Sequence, residues 1–169
     1  MTPAVLLALA LTQAAQPPAV IDRIMAVVNA QPIVLSDVVA AMQFHLVEIP
    51  SGTADPNAFV LDRLIRRALI LAEVERFRPP EPDPIEITMR IDLLEKRAGS
   101  AQALEQALAV TGLTREQLQR DIRDGLRIET YLNQRFGADR SAAERAAAID
   151  AWVSELRRRA EVTVLYGVK

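Results

Sequence analysis

The stretch VIDRIMAVVNAQPIVLSDVV, Val20 to Val39, decides the fold. Ile24 to Val28 is an unbroken apolar run rich in β-branched residues. Asn29-Ala30-Gln31 interrupts it, and Pro32-Ile33-Val34-Leu35 resumes it. Ser36-Asp37 then stops the extended pattern and offers a helix N-cap. The pattern predicts a short hairpin feeding a helix. A strand that is apolar on both faces needs cover on both. The rest of the chain reads mostly as helix and supplies that cover.

Downstream, Ser36 is expected to cap a helix running to about Glu48, with Val38, Val39, Met42 and Leu46 at helical spacing. Pro50-Ser51-Gly52-Thr53 ends it, and Asp55-Pro56 reads as N-cap and first position of a second helix reaching about Arg78. Leu61, Leu64, Ile65, Ala68 and Leu71 form one wide apolar stripe there. Asp62 and Arg66 sit four apart on the other side and are expected to pair. Ile70, Val74 and Phe77 widen the apolar surface, so this helix should touch neighbours on two sides.

Prolines 79, 80, 82 and 84 make a stiff connector that favours an extended path. Two readings of the next stretch stand side by side. Ile85, Ile87, Met89, Ile91 and Leu93 alternate like a strand. Asp83, Pro84 and Glu86 at one end, and Gly99 at the other, frame a helix, which is the reading adopted. As a helix it carries apolar residues all round, which implies burial or an exposed binding surface. Ser100 to Gly112 is a short helix with Leu104 and Leu108 inward. Thr114 and Gln117 form a capping box for a longer helix carrying Leu118, Ile122, Gly125, Ile128, Leu132 and Phe136, ended by Gly137. Ser141 and Glu144 open a last helix to about Arg159, and Glu161 to Tyr166 alternates as a strand. A lone hairpin is marginal in water. A third strand from the C-terminus would stabilise it. The expected fold is α+β, mostly α, with a small antiparallel sheet built from the N-terminal hairpin and the C-terminal strand.

Composition narrows the function classes. The chain has 169 residues, 20 basic and 22 acidic, with a net charge of −2. That balance lacks the concentrated basic face that nucleic-acid binding requires. Aromatic residues are only 4%, too few for a base-stacking platform. There is no cysteine, hence no disulfide, thiolate nucleophile or thiolate metal site. Residues 1–16 read as a signal peptide, with an apolar core from Val5 to Leu11 and a cleavage site after Ala14 or Ala15. Only the terminal amine supplies positive charge before that core. The apolar run is too short to span a membrane, and no stable membrane insertion is expected. Export follows from this reading.

Three stretches resemble one family. VVNAQPIVLSDVVAAM, Val27 to Met42, is similar to the opening of SurA-type periplasmic chaperones. Thr111-Gly112-Leu113-Thr114, followed by Leu118 and Ile122, resembles that family's start of a long helix. Trp152 to Tyr166 resembles the C-terminal piece that packs back on the N-terminal module. The likeness covers the mature chain, residues 17–169, as one SurA N-terminal-like domain in which segment 141–166 returns to the hairpin. The family also inserts parvulin-type prolyl isomerase domains before the final helix, where this chain has only Gly137 to Arg140. The resemblance thus implies the chaperone core without the isomerase, an ATP-independent binder of unfolded outer-membrane protein chains. No enzyme activity is expected.

The remaining chemistry reads as structural. His45 is the one histidine, and a single imidazole is ordinarily a surface or packing residue. The six glycines are scattered singly, so no phosphate loop exists. Glu73 with Glu75, and Asp121 with Asp124, read as solvated helix faces. Arg157-Arg158-Arg159 suits a helix C-terminus. No cofactor and no metal is expected. The informative excess is apolar, at 50% of residues. Flexible thioethers suit promiscuous apolar grooves. The candidate peptide-binding residues are Met25, Met42, Ile70, Phe77, Ile87, Met89, Ile91 and Phe136. The alternative function is a dedicated assembly partner for one folded protein, with a helix-swapped homodimer as a variant.

Overall fold

The computed structural model describes residues 22–137 and 140–167. The expected signal peptide, residues 1–16, lies outside the described residues. Strands β1 (Ile24–Val28) and β2 (Gln31–Val34) form the expected hairpin. Asn29 and Ala30 make its two-residue turn with φ of 47° and 66°. Positive φ at both positions gives the turn whose twist matches that of the strands. Asparagine tolerates this conformation well, whereas alanine adopts it at a steric cost. Strand β3 (Val162–Val164) adds to the other edge of β1, giving the order β2-β1-β3 with both pairings antiparallel. Val28 lies opposite Gln31 on one side and Val162 on the other. Pro32 sits in an edge strand, where a missing N–H does least harm. At the far end of β1, the Asn29 N–H donates to the Glu161 carbonyl at 2.9 Å. The Glu161 N–H returns to Asn29 Oδ1 at 3.2 Å. The fold is therefore α+β and mostly helical, with a sheet closed by both ends of the described chain.

Helix α1 (Leu35–Gln43) differs from the expected one at both ends. Val34 is the N-cap, and the Asp37 carboxylate accepts its N–H at 2.9 Å. Ser36 lies inside the helix, and its hydroxyl donates to Asp22. The helix stops five residues short of Glu48, because buried Phe44 turns into the core and His45 takes φ of 50°. Leu46 and Glu48 thus follow the helix rather than extend it.

Helix α2 (Pro56–Phe77) is the central beam. Asp55 caps it by accepting the Ala58 N–H at 2.9 Å, an interaction worth about 1 kcal/mol. Leu61, Ile65, Leu69 and Val74 are buried in one cluster with Met25, Ala26 and Val28 of β1. Helix α6 (Ala142–Arg159) joins that cluster through Ile149, Val153 and Leu156. The expected Asp62–Arg66 pair does not form. Both side chains reach across to α6, Asp62 to Arg157 at 2.6 Å and Arg66 to Asp150 at 2.5 Å. A neighbouring helix offers each a partner without confining both to one helix face.

Past the proline connector come α3 (Pro84–Ala98), α4 (Ala101–Thr111) and α5 (Arg115–Phe136). The 85–94 stretch is helix. The Asp83 carboxylate accepts the Ile85 N–H at 2.8 Å, and Gly99 ends the helix at φ of 95°. Ile91, Leu94, Leu104, Leu108 and Leu118 bury together against Ala40 of α1 and Phe44 just past its end, forming a second cluster. Arg115 ties this arm together through Glu95 at 2.9 Å and Glu105 at 2.6 Å. Those two hydrogen bonds raise the already high pKa of its guanidinium. Helix α5 runs through both clusters. Its far end stacks Tyr131 against Phe77 and Trp152, with ring centroids 5.5 and 5.9 Å apart. Buried Arg127 faces Glu75 of α2 at 2.5 Å, Asp124 at 3.5 Å and Glu81 of the connector at 3.6 Å. The hydrogen bond from Arg127 holds the Glu75 carboxyl below its ordinary pKa.

Two substitutions probe this frame. Ala30→Gly relieves the left-handed alanine and should stabilise the protein by about 0.5–1 kcal/mol. That is a rise of about 3 °C in Tm by differential scanning calorimetry. Arg127→Ala leaves three carboxylates facing each other, two of them largely solvated. The expected cost is therefore about 2 kcal/mol in urea unfolding, below the 3–5 kcal/mol typical of a fully buried pair.

Candidate functional site

Between the two clusters lies an open groove of about 940 Å³. Its walls come from four helices and an edge strand. Helix α2 contributes Leu64, Ala68 and Leu71, spaced to face one way and half-buried. Helix α1 contributes Ala40 and Ala41, with Leu46 and Val47 from the turn after it. Helix α3 contributes Leu93 and Leu94, and β2 contributes Ile33. Helix α5 forms the remaining wall, where Ile122 and Gly125 are half-buried and Leu118 and Leu126 lie buried behind them. Gly125 helps to keep the space open. A Cβ built there meets nothing within 4 Å, so the helix is bare where it borders the groove.

Charged side chains cross the apolar walls. Arg90 of α3 meets Glu129 of α5 at 3.2 Å. Arg67 of α2 donates to the Asp121 carbonyl at 2.7 Å and lies 3.9 Å from its carboxylate. Arg63 lies over the Phe59 ring, 5.0 Å from its centroid. Asp37 and Asp121 line the groove from α1 and α5. Desolvation pushes both carboxyls above their ordinary pKa, although half of the Asp121 side chain still reaches solvent. For Asp121 the attraction of Arg67 opposes this rise, while the charges of Asp124 and Asp37 add to it. For Asp37 the Val34 N–H opposes it and the charge of Asp22 adds to it.

None of the eight residues singled out from the sequence lines this groove. Met25, Ile70 and Phe136 are buried in the main cluster, and Ile91 is buried in the arm. None of these four offers surface to a guest while the core is closed. Their apolar spacing reflects core packing. Met42 and Ile87 are half-buried against the same two clusters. Met89 and Phe77 are 60% and 59% exposed. Met89 stands between Ile85 and Leu93 at four-residue spacing, an apolar stripe along α3 whose Leu93 end reaches the groove. Phe77 borders a separate hollow of about 280 Å³ with Pro79 and Tyr131. From sequence, Leu64, Ala68 and Leu71 read as part of one apolar stripe on α2, Leu118, Ile122 and Gly125 as one side of α5, and Asp121 as a solvated helix face. The signal that marks them is the bare Gly125 within an otherwise good helix-forming segment.

Among the described residues no group of three His, Asp or Glu side chains is placed to hold a metal ion. No described helix is long and apolar enough to cross a membrane. No protein-family model matches this sequence, and no curated protein is similar to it at a significant level.

The raised carboxyl of Asp121 sets a pH dependence. Its folded pKa exceeds its unfolded one. The native state thus carries a cost at neutral pH that vanishes as pH falls through the folded value to the unfolded one. Asp121→Asn removes that cost. The variant should gain stability over the parent at pH 7, and the gain should shrink by about pH 3. Paired urea titrations at the two pH values measure the difference. A gain that grows on acidification would mean that attraction to Arg67 outweighs burial.

Proposed function

We propose that this chain is an ATP-independent, periplasmic holdase of SurA type, reduced to the chaperone core. It binds unfolded outer-membrane protein chains in the groove between its two clusters. The observation that carries this reading is the groove itself, about 940 Å³ of space lined by apolar side chains from four helices together with four arginines and four carboxylates. It is larger than a single side chain requires, and in scale it suits a peptide segment. The exposed stripe Ile85, Met89 and Leu93 extends the apolar surface beyond the rim. Binding would draw on apolar area removed from water, which is indifferent to exact sequence. That indifference suits a protein that must hold many different chains.

The test is light scattering from a urea-denatured porin diluted into buffer with the purified protein in excess. Aggregation should be suppressed without ATP. Gly125→Leu should weaken that protection several-fold, because its side chain projects into the groove. The same change replaces a poor helix former and should not lower Tm. Unchanged protection by a folded Gly125→Leu variant would remove the groove from the mechanism. Failure to protect any unfolded porin, with saturable binding to one folded protein, would favour the dedicated-partner alternative.

A further inference from the structure

We propose that the outer edge of β3 is a docking strand, which takes an extended, β-forming segment of a guest polypeptide by backbone pairing. This rests on the holdase reading and adds a second place where the guest is held. The two edges of the sheet leave different backbone groups open. Between β1 and β3 the Asn29 N–H donates to the Glu161 carbonyl and the Leu165 N–H to the Met25 carbonyl, both at 2.9 Å, with Val27 opposite Thr163. An antiparallel ladder alternates, so Glu161, Thr163 and Leu165 turn their backbone groups to β1, while Val162 and Val164 turn theirs outward. On the other side of β1, Ala26 and Val28 serve β2, opposite Ile33 and Gln31. The outward positions of β2 are therefore Pro32 and Val34.

At the β2 edge, Pro32 has no N–H, and the Val34 N–H is taken by the Asp37 carboxylate at 2.9 Å. That edge has no donor left for another strand, which is how natural sheets close an edge. The β3 edge has no such guard. Among the described residues, nothing accepts the Val162 or Val164 N–H, and no strand lies beyond β3 in the sheet. Val162, Thr163 and Val164 carry no charge, and Val164 and Leu165 are 40% and 39% exposed. Outward N–H and carbonyl groups on alternate residues call for an extended chain as the occupant. A second copy of this protein has that chemistry, but a strand of three residues falls short of the roughly 1,000 Å² that a stable interface requires. A guest segment meets no such threshold, because the groove holds the same chain elsewhere and raises its effective concentration at the edge. Backbone pairing is also as indifferent to sequence as apolar burial is.

The experiment uses the full chain and a short peptide of alternating valine and threonine with lysine ends, and reads solvent exchange of single amides by NMR. In the free protein the Val162 and Val164 N–H should exchange readily, and the Thr163 N–H should be protected. With peptide at about ten times its Kd, exchange at Val162 and Val164 should slow about tenfold. Val164→Pro repeats at β3 the guard that Pro32 gives β2, removing an outward N–H and leaving the bonds to β1. It should weaken peptide binding about fivefold, as the loss of one backbone hydrogen bond implies, with Thr163 still protected. Unslowed exchange at both valines while the peptide binds overturns the inference on the parent protein, whether or not the variant folds. So does a folded variant that binds the peptide unchanged. Protection that grows with protein concentration alone would seat a second copy on the edge and overturns the guest assignment. Any of these alongside intact porin protection leaves the holdase reading standing. If no peptide binds, the inference falls, and the holdase reading falls with it only when porin protection is also absent.

Discussion

The pairing of β1 with β3 is the constraint on which the rest of the structure depends. It joins Asn29 to Glu161 by two reciprocal hydrogen bonds across 132 positions of sequence. Closing so long a loop costs entropy, although the cost grows only slowly with length. The return comes from Met25, Ala26 and Val28, which the sheet presents to the main cluster. With β3 in place, β1 is a central strand, and α6 is drawn onto α2 by the same chain segment. The ion pairs Asp62–Arg157 and Arg66–Asp150 then fix how α6 lies on α2. They are exposed enough to set alignment more than stability.

The arm is held differently. Its cluster is small and joins the body through α1 and the N-terminal half of α5. Helix α5 serves both clusters, with Leu118 in the arm and Tyr131 and Phe136 in the body. Gly125 lies between those halves, at the groove. The seam between two separately packed clusters is therefore where the open space falls. The small cluster has fewer buried apolar side chains to lose, so local opening should begin there. Such opening would widen the groove while leaving the sheet intact.

Much of this was legible in the sequence, because much of it is local. The turns at Asn29-Ala30 and Gly99, and the caps at Asp55, Asp83, Ser100, Thr114 and Ser141, each depend on a few consecutive residues. At Ile85 to Leu93, strand-like alternation lost to a proline-aspartate start and a glycine stop, since caps satisfy backbone groups that alternation does not address. What failed was whatever depends on distant neighbours. Asp62 and Arg66 found partners on α6 and not each other. Ser36 gave up the cap because Asp22 took its hydroxyl. The groove was illegible for the same reason. Periodicity says that Leu64, Ala68 and Leu71 face away from water-rich surface. It does not say whether another helix fills the space opposite.

An apolar groove of this size should collapse unless its walls are held apart. The walls here are braced by polar links as well as by packing. Arg90–Glu129 spans α3 and α5, and Arg67 with the Asp121 carbonyl spans α2 and α5. Arg127 lies 3.6 Å from Glu81 of the proline connector, a charge contact without a hydrogen bond. Stiff prolines leave the connector little freedom to shorten. Each link is modest alone, because its partners reach solvent. Together they act on different pairs of elements, so closing the groove would break several at once. The space between the clusters is thus a maintained feature of the fold, and it sits where the two cores could not be merged into one.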